Sequence, residues 1–330
     1  MNKIKLSVLD LVLKCDKDNN IRTFKRAVKA AKYAEKLGYE RFWMGEHHNA
    51  EYTLCSATPI LINYVASKTK KIRVGSGGIM LPNHNTLLVA EQFGTLETIH
   101  PNRIDLGVGR GAGGNQEVAK LLSKNGASFS LQNEVENLIQ YFTNQDSSNT
   151  MRAFPGEGQE ASIWILGASM ESAEIAAELA LPFVFGGHFS LNHLPEVAKA
   201  YHSRFKPTSK LEKPYFVLSL NVIAGKNKKE ARYLSTSFLN MIAGDKAGRK
   251  VPFAMPTNEL IYKGNRKIEE LMEPIESSCI IGDTDFISKK LNDLITQTVA
   301  SEIMVLNYIY DEKHRKNGFK YIKKALSKRI

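Results

Sequence analysis

The chain has few cysteines, no long apolar run and no polar linker, and each shortage excludes a class of protein. Its 330 residues include only three cysteines, Cys15, Cys55 and Cys279, and no C-x-x-C pair. That pattern supports neither a disulfide framework nor a zinc ribbon. No apolar run approaches the ~20 residues of a membrane-spanning helix, and the N-terminus carries no signal-peptide core. We therefore expect a cytoplasmic protein with no membrane partner.

Basic residues outnumber acidic ones, which gives a formal net charge of +11. A nucleic-acid-binding surface would concentrate this charge and interleave it with aromatic residues, whereas the lysines here are spread along amphipathic helical patterns. We therefore expect no nucleic-acid partner. A diffuse positive field of this kind attracts small anions, including phosphorylated cofactors.

Short strand-like alternations are followed by helical periods along the whole chain. The count of eight strand-helix units favours a (β/α)₈ barrel, the TIM barrel of the α/β class, over an open doubly wound sheet, which usually has about six strands. The predicted strands are residues 4–9, 40–44, 72–80, 103–108, 162–166, 183–185, 215–224 and 302–308.

Two longer stretches interrupt the alternation, after the fourth and the seventh predicted strands. The first, residues 115–158, begins with one or two helices and becomes polar. The second, residues 243–277, has three prolines and no strong period, and we interpret it as a mobile lid. No linker is long enough to separate domains, so residues 1–330 are predicted to form one domain.

The fourth predicted strand runs directly into a loop of five glycines around Arg110. Glycine lets the backbone approach a ligand closely, and the arginine offers a planar fork of donors suited to phosphate. The glycines also fit a G-x-G-x-x-G pattern, which is weak evidence alone, and a simple tight turn is the alternative.

Two serines follow the next predicted strand, where a helix begins. Ser169 stands at the helix start and Ser172 in its first turn. Helix N–H groups, two hydroxyls and the guanidinium of Arg110 from the neighbouring strand together predict a phosphate site. The alternative is that Ser169 only caps the helix.

The second predicted strand ends in Glu46-His47-His48, at the end of the barrel where active sites lie. There is no H-E-x-x-H motif and no matched third histidine, so we predict no metal. A histidine that titrates near neutral pH is suited to moving protons. We assign this role to His47 and a structural role to His48, and His188, after the sixth strand, joins the candidates for cofactor binding.

Four segments together resemble the bacterial luciferase-like flavin monooxygenases. They are Trp43-Met-Gly-Glu-His-His-Asn49, Gly75-Ser-Gly-Gly-Ile-Met-Leu-Pro82, Arg103-Ile-Asp-Leu-Gly-Val-Gly-Arg110 and Leu166-Gly-Ala-Ser169, and they occur in the family's order. The resemblance implies a (β/α)₈ barrel that uses reduced FMN from a separate flavin reductase, and O2, to oxygenate a small organic substrate. It also implies a homodimer.

The resemblance assigns roles to individual residues of this chain. His47 would be the base near the substrate, the peptide between Gly77 and Gly78 would be cis, and light emission is not expected, because luciferase has a cysteine where this chain has Gly109. The residues implied to contact FMN are Arg110, Ser169 and Ser172 at the phosphate and Gly77, Gly78, Gly111 and Ala112 at the ring. Two alternatives remain open: an F420-dependent hydride-transfer enzyme of the same superfamily, and a non-catalytic flavin-binding protein.

Overall fold

Eight parallel strands close into a barrel in the computed structural model, which describes residues 4–123, 129–143, 146, 148, 150–159 and 161–328. The ring runs β6-β5-β4-β3-β2-β1-β9-β7, and the pairing of β6 with β7 closes it. This arrangement confirms the predicted (β/α)₈ barrel and its eight strands. The strands are β1 (Lys5–Asp10), β2 (Arg41–Met44), β3 (Arg73–Met80), β4 (Ile104–Gly109), β5 (Ser162–Gly167), β6 (Phe183–Phe185), β7 (Phe216–Ala224), β8 (Ile280–Gly282) and β9 (Glu302–Leu306).

Helices follow the strands and cover the outside of the barrel. Most of them begin after an Asn, Asp or Ser side chain that accepts a hydrogen bond from a backbone N–H of the first turn, as Asn19 and Asp283 do, which is the usual N-cap chemistry. Among the described residues, no helix is long and apolar enough to cross a membrane. The helices are α1 (Asn20–Lys36), α2 (Thr58–Ala66), α3 (Thr86–Ile99), α4 (Gln116–Leu122), α5 (Leu131–Thr143), α6 (Met170–Glu178), α7 (Leu194–Arg204), α8 (Lys228–Lys246), α9 (Arg266–Ser278), α10 (Thr284–Thr298) and α11 (Glu312–Ser327).

The insertion after β7 is more ordered than the sequence pattern predicted. Helix α9 occupies the end of the stretch 243–277, and the short strand β8 then pairs with the last residues of β7, outside the closed ring. Strand β8 lies outside the ring of strands that the strand-helix alternation predicts. Phe253 of this stretch is buried, its backbone pairs with Cys15 and its ring contacts Tyr310, so the insertion packs against the loops that follow β1 and β9. That it moves as a lid stays a prediction.

A layer of charge fills the lower end of the barrel interior. The buried guanidinium of Arg41 donates to Glu302 at 3.0 and 3.2 Å and to Asp105 at 2.9 Å. Arg73 donates to the second oxygen of Asp105 at 2.8 Å, and Tyr215 donates to Glu302 at 2.6 Å. Because every ion in this layer has an opposite charge and further hydrogen bonds, the layer avoids the cost of an unpaired buried charge.

Both tryptophans of the chain lie above this layer. Trp43 donates its indole N–H to Asp105 at 2.9 Å, and Trp164 packs against it edge to face, with ring centroids 5.3 Å apart. A Cβ on Gly107 would lie 2.2 Å from the backbone oxygen of Ser76, so β3 and β4 approach closely only because that residue is glycine. Side chains and closely packed backbone therefore fill the barrel interior below its mouth.

Replacing Arg41 should show how much the buried charge layer contributes to stability. Arg41→Met leaves Asp105 and Glu302 buried with fewer partners, so we expect the free energy of unfolding to fall by about 3 to 5 kcal/mol, measured by urea denaturation. The control is Lys5→Met, which removes the exposed pair between Lys5 and Glu40 and should cost about 0 to 1 kcal/mol. Equal losses for the two variants would contradict this description of the core.

Candidate active site

Bare backbone forms one wall of the barrel mouth, where β2, β3 and β4 end. The peptide between Gly77 and Gly78 is cis, which confirms the implied geometry. A Cβ on Gly78 would lie 2.9 Å from the backbone oxygen of Gly107, and one on Gly45 would lie 3.1 Å from that of Gly77. A side chain at either buried position would clash with neighbouring groups, so both glycines are needed for the strand ends to pack this closely.

The three residues predicted to bind phosphate lie together at the start of α6. Arg110 donates to the Ser169 hydroxyl at 3.0 Å, and the hydroxyls of Ser169 and Ser172 are 3.1 Å apart. Ser169 is also the N-cap of α6 and accepts from the backbone N–H of Ser172. The capping role and the phosphate role are therefore compatible, because helix N–H groups, hydroxyls and a guanidinium converge on one point.

Glu171, which the sequence analysis did not single out, also contacts this cluster. Its carboxylate accepts a hydrogen bond from Arg110, and both side chains are exposed. The carboxylate stands in for an anion at the guanidinium, so a phosphate group would compete with it. In the sequence, Glu171 is only an acidic residue in the first turn of a predicted helix. The helix dipole favours acidic residues at that position in any helix, so the position alone does not indicate a contact with Arg110.

A buried carboxylate joins two of the three loops that line this wall. Glu46 accepts from His48 at 2.8 Å, from His84 at 2.9 Å and from the backbone N–H of Met80 at 3.1 Å. Asn83 donates to the backbone oxygen of Ala112 at 2.9 Å, which ties in the third loop. Burial acts to raise the pKa of Glu46, but the hydrogen bonds and charges of its histidine partners hold the pKa below its ordinary value.

The same cluster has the residue types of a metal site. The ligand atoms of Glu46, His48 and His84 all lie within 4.8 Å of one another, and two histidines with a carboxylate form a known zinc set. Each of these atoms already takes part in a hydrogen bond of 2.8 to 2.9 Å, so the arrangement is accounted for without an ion. The absence of a metal stays a prediction. His84 was missed because it follows a different strand from the adjacent pair at 47 and 48.

His47 and His188 lie close enough to interact electrostatically. Nδ1 of His47 lies 3.3 Å from the backbone oxygen of Gly45, which can only accept, so the proton is placed on Nδ1 and Nε2 is left basic. Burial lowers the pKa of His47, although Gly45 and Glu46 act in the opposite direction. Burial and the nearby His47 lower the pKa of His188 to about 3. Both rings are therefore neutral at neutral pH.

Comparison with known proteins is consistent with this geometry. A protein-family model described as "Luciferase-like monooxygenase" matches residues 8–301. The chain belongs to the luciferase-like monooxygenase family. A luciferase-like monooxygenase of Escherichia coli strain K12 is 35% identical over 96% of this chain and 95% of its own. The N-acetyl-S-alkylcysteine monooxygenase of Bacillus subtilis is 30% identical over 98% of each chain. This luciferase-like chain is thus an oxidoreductase that uses oxygen.

Solved structures of similar fold have different cofactors. Apo-MsnO8 is 27% identical to this luciferase-like chain, with a TM-score of 0.87 over 98% of each chain. The oxygenating constituent of 3,6-diketocamphane monooxygenase from Pseudomonas putida, in complex with FMN, has a TM-score of 0.70 at 16% identity over 99% of each chain. An F420-dependent secondary alcohol dehydrogenase has a TM-score of 0.67 at 14% identity over 98% of this chain and 99% of its own. The last two show the fold alone.

Glu46→Gln should loosen the two loops that the carboxylate joins and, through Asn83, the third loop as well. The amide cannot accept from all the donors that face it, so we expect a loss of about 1 to 3 kcal/mol in the free energy of unfolding. Hydrogen exchange followed by mass spectrometry should become faster in residues 80–84 and 111–113. The control is Glu35→Gln, whose carboxylate accepts backbone N–H groups of residues 70–72 at the opposite end of the barrel. Unchanged exchange at the mouth would contradict the role given to Glu46.

Proposed function

We propose that the protein is a two-component FMN-dependent monooxygenase, which uses reduced FMN and O2 to oxygenate a small organic substrate. The observation that carries the proposal is the convergence of Arg110, Ser169 and Ser172 at the start of α6. A phosphate monoester carries nearly two negative charges at neutral pH, and this cluster offers it charge-assisted and neutral hydrogen bonds together.

The glycine wall supports a flavin in the same site. Gly77 and Gly78 lie near the end of β3, and Gly111 and Ala112 lie in the loop after β4, where the Met80 side chain lies beside Gly111. Small residues at these positions would let a flat ring approach the main chain. Ala112 is held by Asn83, which fixes that loop. Bound reduced FMN would supply the electrons with which oxygen is activated. The chain would supply the orientation, because the phosphate cluster and the glycine wall fix the two ends of one ligand.

His47 is proposed as the residue that moves a proton at the substrate. Its Nε2 is basic while Nδ1 faces the Gly45 carbonyl at 3.3 Å, and burial favours the neutral ring that can accept a proton. His188 is proposed to line the cofactor from the other side. Its Nδ1 contacts the Ser219 hydroxyl at 3.0 Å, which fixes the ring.

Partners and alternatives follow from the same proposal. A separate flavin reductase would deliver reduced FMN, and a homodimer is the proposed assembly. The alternative is an F420-dependent oxidoreductase, since a structure of that class has a closely similar fold. Family membership favours an enzyme over a non-catalytic flavin-binding protein. Oxygen uptake with reduced FMN, and none with reduced F420, would support the FMN-dependent monooxygenase over the F420-dependent oxidoreductase.

Arg110→Ala should weaken FMN about tenfold to a hundredfold, the range expected for a charge-assisted hydrogen bond. Riboflavin, which has no phosphate, should lose little affinity, and fluorescence titration measures both. The matched control is Glu171→Gln, which removes the carboxylate that competes for the same guanidinium and should leave FMN affinity equal or higher. Equal losses for FMN and riboflavin in Arg110→Ala would place the phosphate elsewhere.

His47→Ala should separate chemistry from binding. We expect affinity for reduced FMN to stay within a few-fold of wild type, while substrate oxygenation falls by about 10² to 10⁴, the range for loss of a general base. Oxygen would still be consumed, so the yield of hydrogen peroxide should rise as product falls. The control is His314→Ala, on the exposed start of α11. Loss of FMN in His47→Ala, or normal oxygenation, would assign the base to another residue.

A further inference from the structure

Two helices, α1 and α11, carry most of the net positive charge of the chain. They contain 12 of its 45 Lys and Arg residues and only 2 of its 34 Asp and Glu residues. The rest of the chain is therefore close to neutral, although the whole chain has a formal net charge of +11. Whether this charge forms one surface depends on where the two helices lie.

Helices α1 and α11 lie side by side on the outside of the barrel. Near the start of α11, Nζ of Lys29 lies 3.1 Å from a carboxylate oxygen of Glu312. Farther along, the ammonium groups of Lys316 and Lys320 lie 5.8 and 5.9 Å from the centroid of the Tyr33 ring. The fold thus brings together two basic segments that are almost 300 residues apart in the sequence.

Seven lysines flank the seam between the two helices, and we call them the basic face. Residues three and four apart lie on one side of a helix, and the four lysines on α1 follow this spacing over about 16 Å. The face extends to the end of α1, because a Cβ on Gly38 would lie 3.4 Å from Nζ of Lys323. The basic face consists of Lys25, Lys29, Lys32 and Lys36 on α1 and Lys316, Lys320 and Lys323 on α11.

Six of these seven lysines form no salt bridge with a described residue, and the exception is Lys29, which pairs with Glu312. The acidic residue of α1, Glu35, does not neutralise the face, because its carboxylate accepts the backbone N–H groups of residues 70–72. Like charges three and four apart on a helix repel one another. A bound anionic partner would remove this repulsion, so the arrangement favours binding.

The residue types of the face favour protein carboxylates over nucleic-acid phosphates. Arginine has the fork of donors best suited to phosphate, but all three arginines of these helices pair within the chain, with Asp18 or Asp10. The Tyr33 ring is covered by two ammonium groups, so it is not free to stack on a base.

The face also differs from a membrane-binding surface. A helix that lies on a membrane exposes several large apolar side chains beside its basic ones. Among the described residues of α1 and α11, only Ile21, at the start of α1, is a large apolar residue that is exposed. The face therefore offers charge and almost no apolar area.

We propose that the basic face binds an acidic helix of a partner protein. Glutamates three and four residues apart on a helix repeat with the same pitch as the lysines of the face, so carboxylates meet ammonium groups along its whole length. The contact is exposed and electrostatic, so it forms fast and weakens with salt. It involves no flavin, so this inference and the proposed monooxygenase function stand or fall separately.

Fluorescence anisotropy with the full-length protein tests the proposal. The probe is a labelled, alanine-rich helical peptide of about 18 residues, long enough to span the face, with glutamates along one side. The reference peptide has glutamine at the same positions. We expect the Glu peptide to bind at least about tenfold more tightly than the Gln peptide at about 0.1 M salt, and to lose this preference at about 1 M, where screening is stronger.

A triple variant locates the binding on the face. Lys32→Gln/Lys316→Gln/Lys320→Gln should weaken the Glu peptide about tenfold, the size expected when three exposed ion pairs are lost. Arginine at the same three positions keeps the charge and should keep the wild-type affinity. An arginine variant that binds as weakly as the glutamine variant would overturn the proposal, because the charge would not then be the cause.

The matched control removes the same charge elsewhere. Lys206→Gln/Lys210→Gln/Lys213→Gln changes three exposed lysines between α7 and β7 and should leave the affinity unchanged. Equal losses in the two glutamine variants would show only an effect of net charge and overturn the proposal, as would equal binding of the Glu and Gln peptides. Duplex DNA or anionic phospholipid vesicles that bind the face more tightly than the Glu peptide would assign it to another class of partner and also overturn it.

Discussion

The guanidinium of Arg41 joins β2 to β4 and β9 across the barrel interior, through Asp105 and Glu302. A closed ring of eight strands needs its interior filled with side chains, and here the lower end is filled with paired charges instead of aliphatic residues. Such a layer is costly to break, because removal of one partner leaves a buried charge uncompensated. It also fixes the register of strands that are far apart in sequence.

The packing above that layer determines where the site lies. Asp105 holds the Trp43 indole N–H, and the indole restricts two positions of β3: a Cβ on Gly75 would lie 2.9 Å from the Trp43 Nε1, and one on Gly77 would lie 3.3 Å from the ring. The glycines continue to the strand ends, where Gly77 is partly exposed and Gly111 is exposed. The flat wall proposed to contact a flavin is thus a consequence of how the core is packed.

Sequence reasoning predicted the parts of the molecule that are periodic or contiguous. All eight barrel strands, the helices between them, and the contacts among Arg110, Ser169 and Ser172 were predictable, since strand ends of a barrel meet at one edge. Strand β8 and helix α9 were not, because β8 lies outside the ring of strands that the alternation predicts and α9 contains a proline.

The missed contacts have a common cause. Glu46 meets His84, and Arg110 meets Glu171, across different loops, and the distance between loops is set by tertiary packing. Pattern and resemblance therefore locate a site, whereas its electrostatics need the structure.

The central claim is that one ligand spans the phosphate cluster and the glycine wall, and a crystal structure with bound FMN tests it most directly. The account predicts the FMN phosphate within hydrogen-bonding distance of Arg110 and Ser169, with the Glu171 carboxylate displaced from the guanidinium. It also predicts the flavin ring against Gly77 and Gly78. A phosphate bound away from the start of α6, or a ring outside the barrel mouth, would contradict it.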